Sequence, residues 1–239
     1  YREAIRTTVD HYFLRLVGLD GHGGALVSED DVQALKDTGA YNNDWSLSHT
    51  LIIYYLSIVL MELRAAGAVA DLDKLKVDLP LSHLDELVDK IGKLGDLCIR
   101  HGIDVGKLMR RKTEGSQRLE RFLANASKAS YSSPTSLLVL RDFCPEISEH
   151  AEMIQQLIPY NTGDDDLLTR LFEEIYLGAE LFERFYRRPP IFDIDEGYFH
   201  RETIIPRKET LELLVDRWGK LGIYSERPRT QGIYLLETN

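Results

Sequence analysis

The chain has 239 residues, of which 44% are hydrophobic and 28% charged, a balance that is typical of a globular protein and excludes a disordered chain. Its formal net charge of −10 argues against nucleic acids and membrane surfaces as partners, because both are negatively charged. A small phosphorylated ligand remains compatible with this charge, since a local group of amides and arginines can bind phosphate. The two cysteines form no Cys-x-x-Cys pair and favour a reducing, cytoplasmic location.

Apolar residues recur at helical spacing along the first four fifths of the chain and predict an almost all-helical body. The most apolar run, Leu51–Met61, is shorter than the roughly 20 residues of a membrane span and predicts a buried helix. Because the helical pattern is already present at Tyr1, we expect further residues before it. The predicted helices cover residues 1–17, 28–39, 44–67, 81–103, 105–126, 133–141, 147–158 and 164–186.

The pattern changes at residues 187–190, which read Arg-Arg-Pro-Pro. An extended stretch, a helix from Lys208 to Lys220, a strand at Leu221–Ser225 and a helix begun by Pro228 are predicted after it. Helix, short strand and helix form the half-unit of a doubly wound parallel sheet. We therefore predict a predominantly α-helical chain, with a helical domain at residues 1–188 and a partial, Rossmann-like α/β core at residues 189–239. A lone strand is not a sheet, so we expect more of this core outside the chain.

The segment with the clearest chemistry is residues 225–229, which we call the phosphate segment. Ser225 ends the predicted strand, and the next helix offers backbone amides at its N-terminus. Together with Arg227 and Arg229, this hydroxyl and these amides predict a phosphate-binding site. The alternative interpretation is a polar turn between strand and helix with solvated arginines.

Five stretches together resemble the haloacid dehalogenase (HAD) superfamily of phosphatases. Leu221–Arg229 is similar to the second HAD motif, a strand that ends in Thr-Gly-Arg-Pro. Ala34–Trp45 contains the Asn-Asn-Asp-Trp signature of one HAD subgroup, and Tyr1–Arg6, Phe172–Gly178 and Gly197–Glu202 also resemble that subgroup. The resemblance covers residues 1–52 and 171–239, whereas residues 71–170 match nothing in the family.

The resemblance implies that residues 1–188 are a helical cap and that the hydroxyl of Ser225 holds the transferring phosphoryl group of a small phosphorylated metabolite. It also implies that motif one, with the nucleophilic Asp, precedes Tyr1, and that motifs three and four, with a Lys and the ligands of Mg²⁺, follow Asn239. The chain would then contain no catalytic residue and no ligand of the metal. One position departs from the motif, because Glu226 replaces its Gly, and a carboxylate beside phosphate must turn away or pair with an arginine.

A rival position for the nucleophile is the stretch Asp193-Ile-Asp195, which imitates the Asp-x-Asp of motif one. A HAD nucleophile projects from the end of a buried strand, yet only two apolar residues precede Asp193 after two prolines. The alternative is a solvated acidic turn.

The resemblance further places Asn42, Asn43, Asp44 and Trp45 where cap residues could contact substrate. The alternative for this stretch is a helix N-cap followed by a tryptophan that packs in the core. The seven histidines show no ligand spacing, so no zinc site is predicted. The sequence thus predicts a magnesium-dependent phosphomonoester hydrolase, incomplete and inactive as these 239 residues, and the alternative is a non-catalytic helical interaction module with a vestigial core.

Overall fold

The computed structural model describes residues 2–21, 24–39, 44–75, 84–115, 118–126, 151–159, 166–202, 207–222 and 227–238. These residues are predominantly helical, as predicted. The helices, numbered here in chain order, are α1 (Arg2–His11), α2 (Glu29–Asp37), α3 (Asp44–Ala65), α4 (Val69–Leu75), α5 (Leu84–Arg100), α6 (Val105–Thr113), α7 (Leu119–Ala126), α8 (Ala151–Leu157), α9 (Leu167–Leu177), α10 (Ala179–Tyr186), α11 (Lys208–Trp218) and α12 (Arg229–Thr238). A π-helical turn at Tyr12–Leu16 continues α1, and a 3₁₀ turn occupies Tyr198–Arg201.

The helix α2 begins at a complete N-terminal capping box. The side chain of Ser28 accepts a hydrogen bond from the backbone N–H of Asp31, and the carboxylate of Asp31 accepts one from the N–H of Ser28. Glu29, Asp30 and Asp31 supply negative charge to the first turn, where it complements the helix dipole. This capping box fixes where α2 begins.

Two helices that were predicted as continuous are each interrupted at a glycine. The predicted helix at 105–126 is divided into α6 and α7, because Glu114 is extended and Gly115 has a φ of 68°. The predicted helix at 164–186 is divided into α9 and α10 at Gly178, whose φ of 76° an ordinary L residue rarely adopts. The predicted helix at 133–141 lies outside the described residues, as do residues 147–150 of the next one.

The chain forms two compact units, residues 1–175 and 176–239. In the first unit α3 lies against α1, α5, α6 and α8 and is buried over most of its length. Among the described residues, α3 is the one helix that is long and apolar enough to cross a membrane. A core helix of a soluble protein can meet the same criteria, and 89% of the apolar window of α3 is buried inside the protein. The first unit is thus built around this helix.

In the second unit, α10 and α12 pack around the 3₁₀ turn. Gly197 lies so close to the backbone of Leu177 and Gly178 that a Cβ on Gly197 would stand 2.1 Å from the carbonyl carbon of Leu177. The N–H of Ala179, at the start of α10, donates to the carbonyl of Ile194 at 2.9 Å. The irregular stretch before the 3₁₀ turn is therefore held against the break between α9 and α10.

The partial α/β core that the sequence predicted is not supported. No β-strand occurs among the described residues, and Leu221 and Gly222, the first two residues of the predicted strand, are in neither helix nor strand. The other three residues of that strand lie outside the described part of the chain. A strand requires a neighbour with which to exchange backbone hydrogen bonds, and the described residues provide none. The unit boundary after Ile175 also differs in position from the predicted domain boundary after residue 188.

Candidate functional site

The structure describes two of the three residues that were predicted to bind phosphate. Arg227 directly precedes Pro228, and Arg229 is the first residue of α12, whereas Ser225 lies outside the described residues. The carbonyl of Pro228 accepts the N–H of Gly232 at 3.0 Å, so the helical hydrogen bonds begin one residue before α12. The side chain of Arg229 is exposed at this N-terminus. Arg229 is therefore placed where an anion could reach both its guanidinium and backbone amides of the helix.

Arg227 has a different environment, because its guanidinium binds a carboxylate of the protein. Its Nη2 lies 2.6 Å from Oε2 of Glu202, and the two side chains are 13% and 18% exposed. The hydroxyl of Tyr176 donates to the other carboxylate oxygen, Oε1, at 2.5 Å. The guanidinium also lies over the ring of Phe199 at 5.4 Å and that of Tyr176 at 5.8 Å. We call Tyr176, Glu202 and Arg227 the Glu202 cluster.

Aromatic rings support the Glu202 cluster from the interior of the second unit. Phe199, which is 2% exposed, has its ring centroid 5.6 Å from that of Tyr176, 6.0 Å from that of Tyr234 and 6.3 Å from that of Phe185. The guanidinium of Arg184 in α10 lies 4.8 Å from the ring centroid of Tyr234 in α12. These contacts connect α10, the 3₁₀ turn and α12 and so fix the position from which the phosphate segment enters α12.

Glu202 and Tyr176 were not identified as site residues from the sequence. Both fell within stretches that resemble the HAD subgroup, but no role was assigned to either. A partly buried arginine requires an acidic partner, so the sequence could suggest that Arg227 has one. The sequence does not indicate which of the 39 acidic residues of the chain it is. Glu226, which replaces the Gly of HAD motif two, lies outside the described residues.

The predicted cap contacts are only partly described. Asn42 and Asn43 lie outside the described residues. Asp44 begins α3, and its Oδ1 lies 3.2 Å from Nζ of Lys36 in α2. The ring of Trp45 packs edge-on against Phe172 at 6.0 Å between centroids. These contacts stay within the first unit and support the packing alternative, while substrate contact by this stretch remains a prediction.

Asp193 and Asp195 lie on irregular, exposed backbone. Neither follows a strand, so the geometry that a HAD nucleophile requires is lacking at this stretch. The carbonyl of Ile194, between them, instead accepts the first N–H of α10. The solvated acidic turn therefore describes this stretch better than the rival position for the nucleophile.

No group of three or more His, Cys, Asp or Glu side chains that could hold a metal ion occurs in the part of the chain that the structure describes. The sequence prediction places the ligands of Mg²⁺ outside these 239 residues, and that placement stays a prediction. The thiol of Cys98 is buried, and burial raises its pKa to about 12. Because the thiolate is the reactive form of cysteine, burial disfavours Cys98 as a nucleophile near neutral pH.

Buried charged groups of the first unit connect its helices. Glu62 of α3, whose side chain is 7% exposed, binds Nζ of Lys107 at 3.1 Å and Nε of Arg111 at 2.6 Å, both in α6. Lys90 of α5 donates to the side chain of Gln156 in α8 at 3.0 Å, and burial lowers its pKa. Each group has a protein partner, so we interpret both as structural.

No family model, curated protein or solved structure matches this chain. The assignment to a class of proteins therefore depends on the motifs quoted above and on the geometry around Arg227 and Arg229.

Proposed function

We propose that the chain is part of a magnesium-dependent phosphomonoester hydrolase of the HAD type, acting on a small phosphorylated metabolite in the cytoplasm. The observation that carries the proposal is the placement of Arg229 at the exposed N-terminus of α12, four residues after Ser225. The phosphate segment resembles HAD motif two in its residues, and its described end combines an exposed arginine with a helix N-terminus, an arrangement that favours an anion.

In this proposal the phosphate segment binds the phosphoryl group of the substrate. The hydroxyl of Ser225 and the first amides of α12 donate hydrogen bonds to phosphate oxygens, and Arg229 adds a positive charge. The nucleophilic Asp and the ligands of Mg²⁺ are expected outside residues 1–239. Mg²⁺, when bound there, would supply positive charge to the phosphoryl oxygens. Because the described residues form no site for it, we assign no step of the reaction to Mg²⁺.

The proposal carries a structural requirement for the second unit. In a HAD core, residues 221–225 would be a strand with a neighbour on each edge. The described residues do not meet this requirement, so we expect the strand only where the remaining strands of a core are present. For the same reason we expect residues 1–239 to hydrolyse no phosphate ester by themselves.

Phosphate binding by the 239-residue chain is the first test. Inorganic phosphate should bind to the wild type, and Arg229→Ala should weaken binding by roughly tenfold, because a hydrogen bond to a charged group contributes about 1.5–3 kcal/mol. Ser225→Ala should have a similar effect, whereas Ser225→Thr keeps the hydroxyl and should bind normally. Arg217→Ala is the matched control, since Arg217 is an exposed arginine of α11 in the same unit. Equal affinity of all four variants would show that phosphate binds elsewhere.

Hydrolysis is tested in two proteins. The 239-residue chain should release no p-nitrophenol from p-nitrophenyl phosphate in the presence of Mg²⁺, because its described residues offer no carboxylate nucleophile at a strand end. The full-length gene product should hydrolyse the same ester, and Ser225→Ala should lower its kcat/KM by roughly 10- to 150-fold. Magnesium-dependent turnover by the 239-residue chain would contradict the proposal and would require the nucleophile to lie within it.

A second function, a non-catalytic interaction module, is favoured by one observation. Every residue of α11 is described and none is buried, and the helix exposes Leu213 at 68% and Trp218 at 63%. Such apolar exposure is typical of a surface that another protein segment covers. This function would replace the first if neither phosphate binding nor an Asp-x-Asp upstream of Tyr1 were found.

A further inference from the structure

We draw no further inference here: the strongest candidate, the apolar surface of α11 in the second unit, on which Leu213, Val215 and Trp218 are exposed, carries none, because nothing in the structure shows what covers it.

Discussion

His49 gives the first unit a pH dependence that can be derived from its contacts. The imidazole of His49 is 4% exposed, and its Nε2 lies 3.1 Å from the carbonyl oxygen of Ile158, just after α8. A carbonyl oxygen can only accept, so Nε2 carries a hydrogen and donates it. Burial lowers the pKa of His49 to about 4, although the hydrogen bond to Ile158 opposes this shift. The folded protein therefore keeps His49 neutral where an unfolded chain would protonate it.

The sign and the magnitude follow from this difference. Above pH 6.5 His49 is neutral in both states, and its full contribution to stability is present. As the pH falls from 6.5 toward 4, the unfolded chain binds a proton that the folded chain does not, and the free energy of unfolding decreases. Each unit of difference in pKa corresponds to about 1.36 kcal/mol, so the expected loss over this interval is about 3 kcal/mol. Below the folded pKa the loss from His49 is complete.

The assay is urea unfolding at several pH values between about 7 and 4.5, the interval in which the two states differ in protonation. The chain has two tryptophans, so Trp218→Phe leaves Trp45 as a fluorescent reporter of the first unit. Burial also raises the pKa of Asp10, so the measured quantity is the difference between the wild type and His49→Gln. His200→Asn, at an exposed histidine, is the control. Equal pH slopes for the wild type and His49→Gln would refute the reasoning.

Two further predictions concern packing. Gly95→Ala in α5 should destabilise the first unit by about 1–3 kcal/mol, because its Cβ would stand 1.6 Å from the carbonyl oxygen of Val17 and backbone atoms cannot yield easily. Gly92→Ala, three residues earlier in the same helix, meets nothing within 4 Å and should stabilise the protein by about 0.5–1 kcal/mol; denaturant unfolding compares the two. In hydrogen exchange, amides of α11 should exchange much faster than central amides of α3, since α11 buries no residue; equal protection would contradict this.

The sequence predicted most helices because their signals are local. The capping box of α2 lies within four consecutive residues, and the apolar run of α3 is visible without any knowledge of its neighbours. The interruption at Gly178 was missed because its cause is not local. Its left-handed conformation goes together with the close approach of Gly197, nineteen positions later in the chain, and a glycine inside a helical pattern does not reveal such a contact.

The same distinction explains what was found of the candidate site. Arg227 and Arg229 were predicted as phosphate-binding residues because they stand within one short motif, and this role stays a prediction. Glu202 was not, because it stands 25 positions before Arg227, and charge pairs across that distance leave no spacing pattern. The strand at 221–225 was predicted from a short run of apolar residues. Such a run can also occur in an exposed stretch. Leu221, which is 44% exposed, shows that an apolar residue there need not be buried.

The second unit has one part with many side-chain contacts, at the start of α12, and one exposed helix, α11. This contrast bears on its function. Phe199, Tyr234 and the Glu202 cluster fix the start of α12 through aromatic contacts, hydrogen bonds and an ion pair. None of these contacts involves α11, whose apolar side chains remain exposed. The described contacts at the start of α12 therefore do not include α11. A partner or a further part of the core could dock on α11 without rebuilding the site at Arg229, and phosphate binding and docking can be measured as separate properties of this unit.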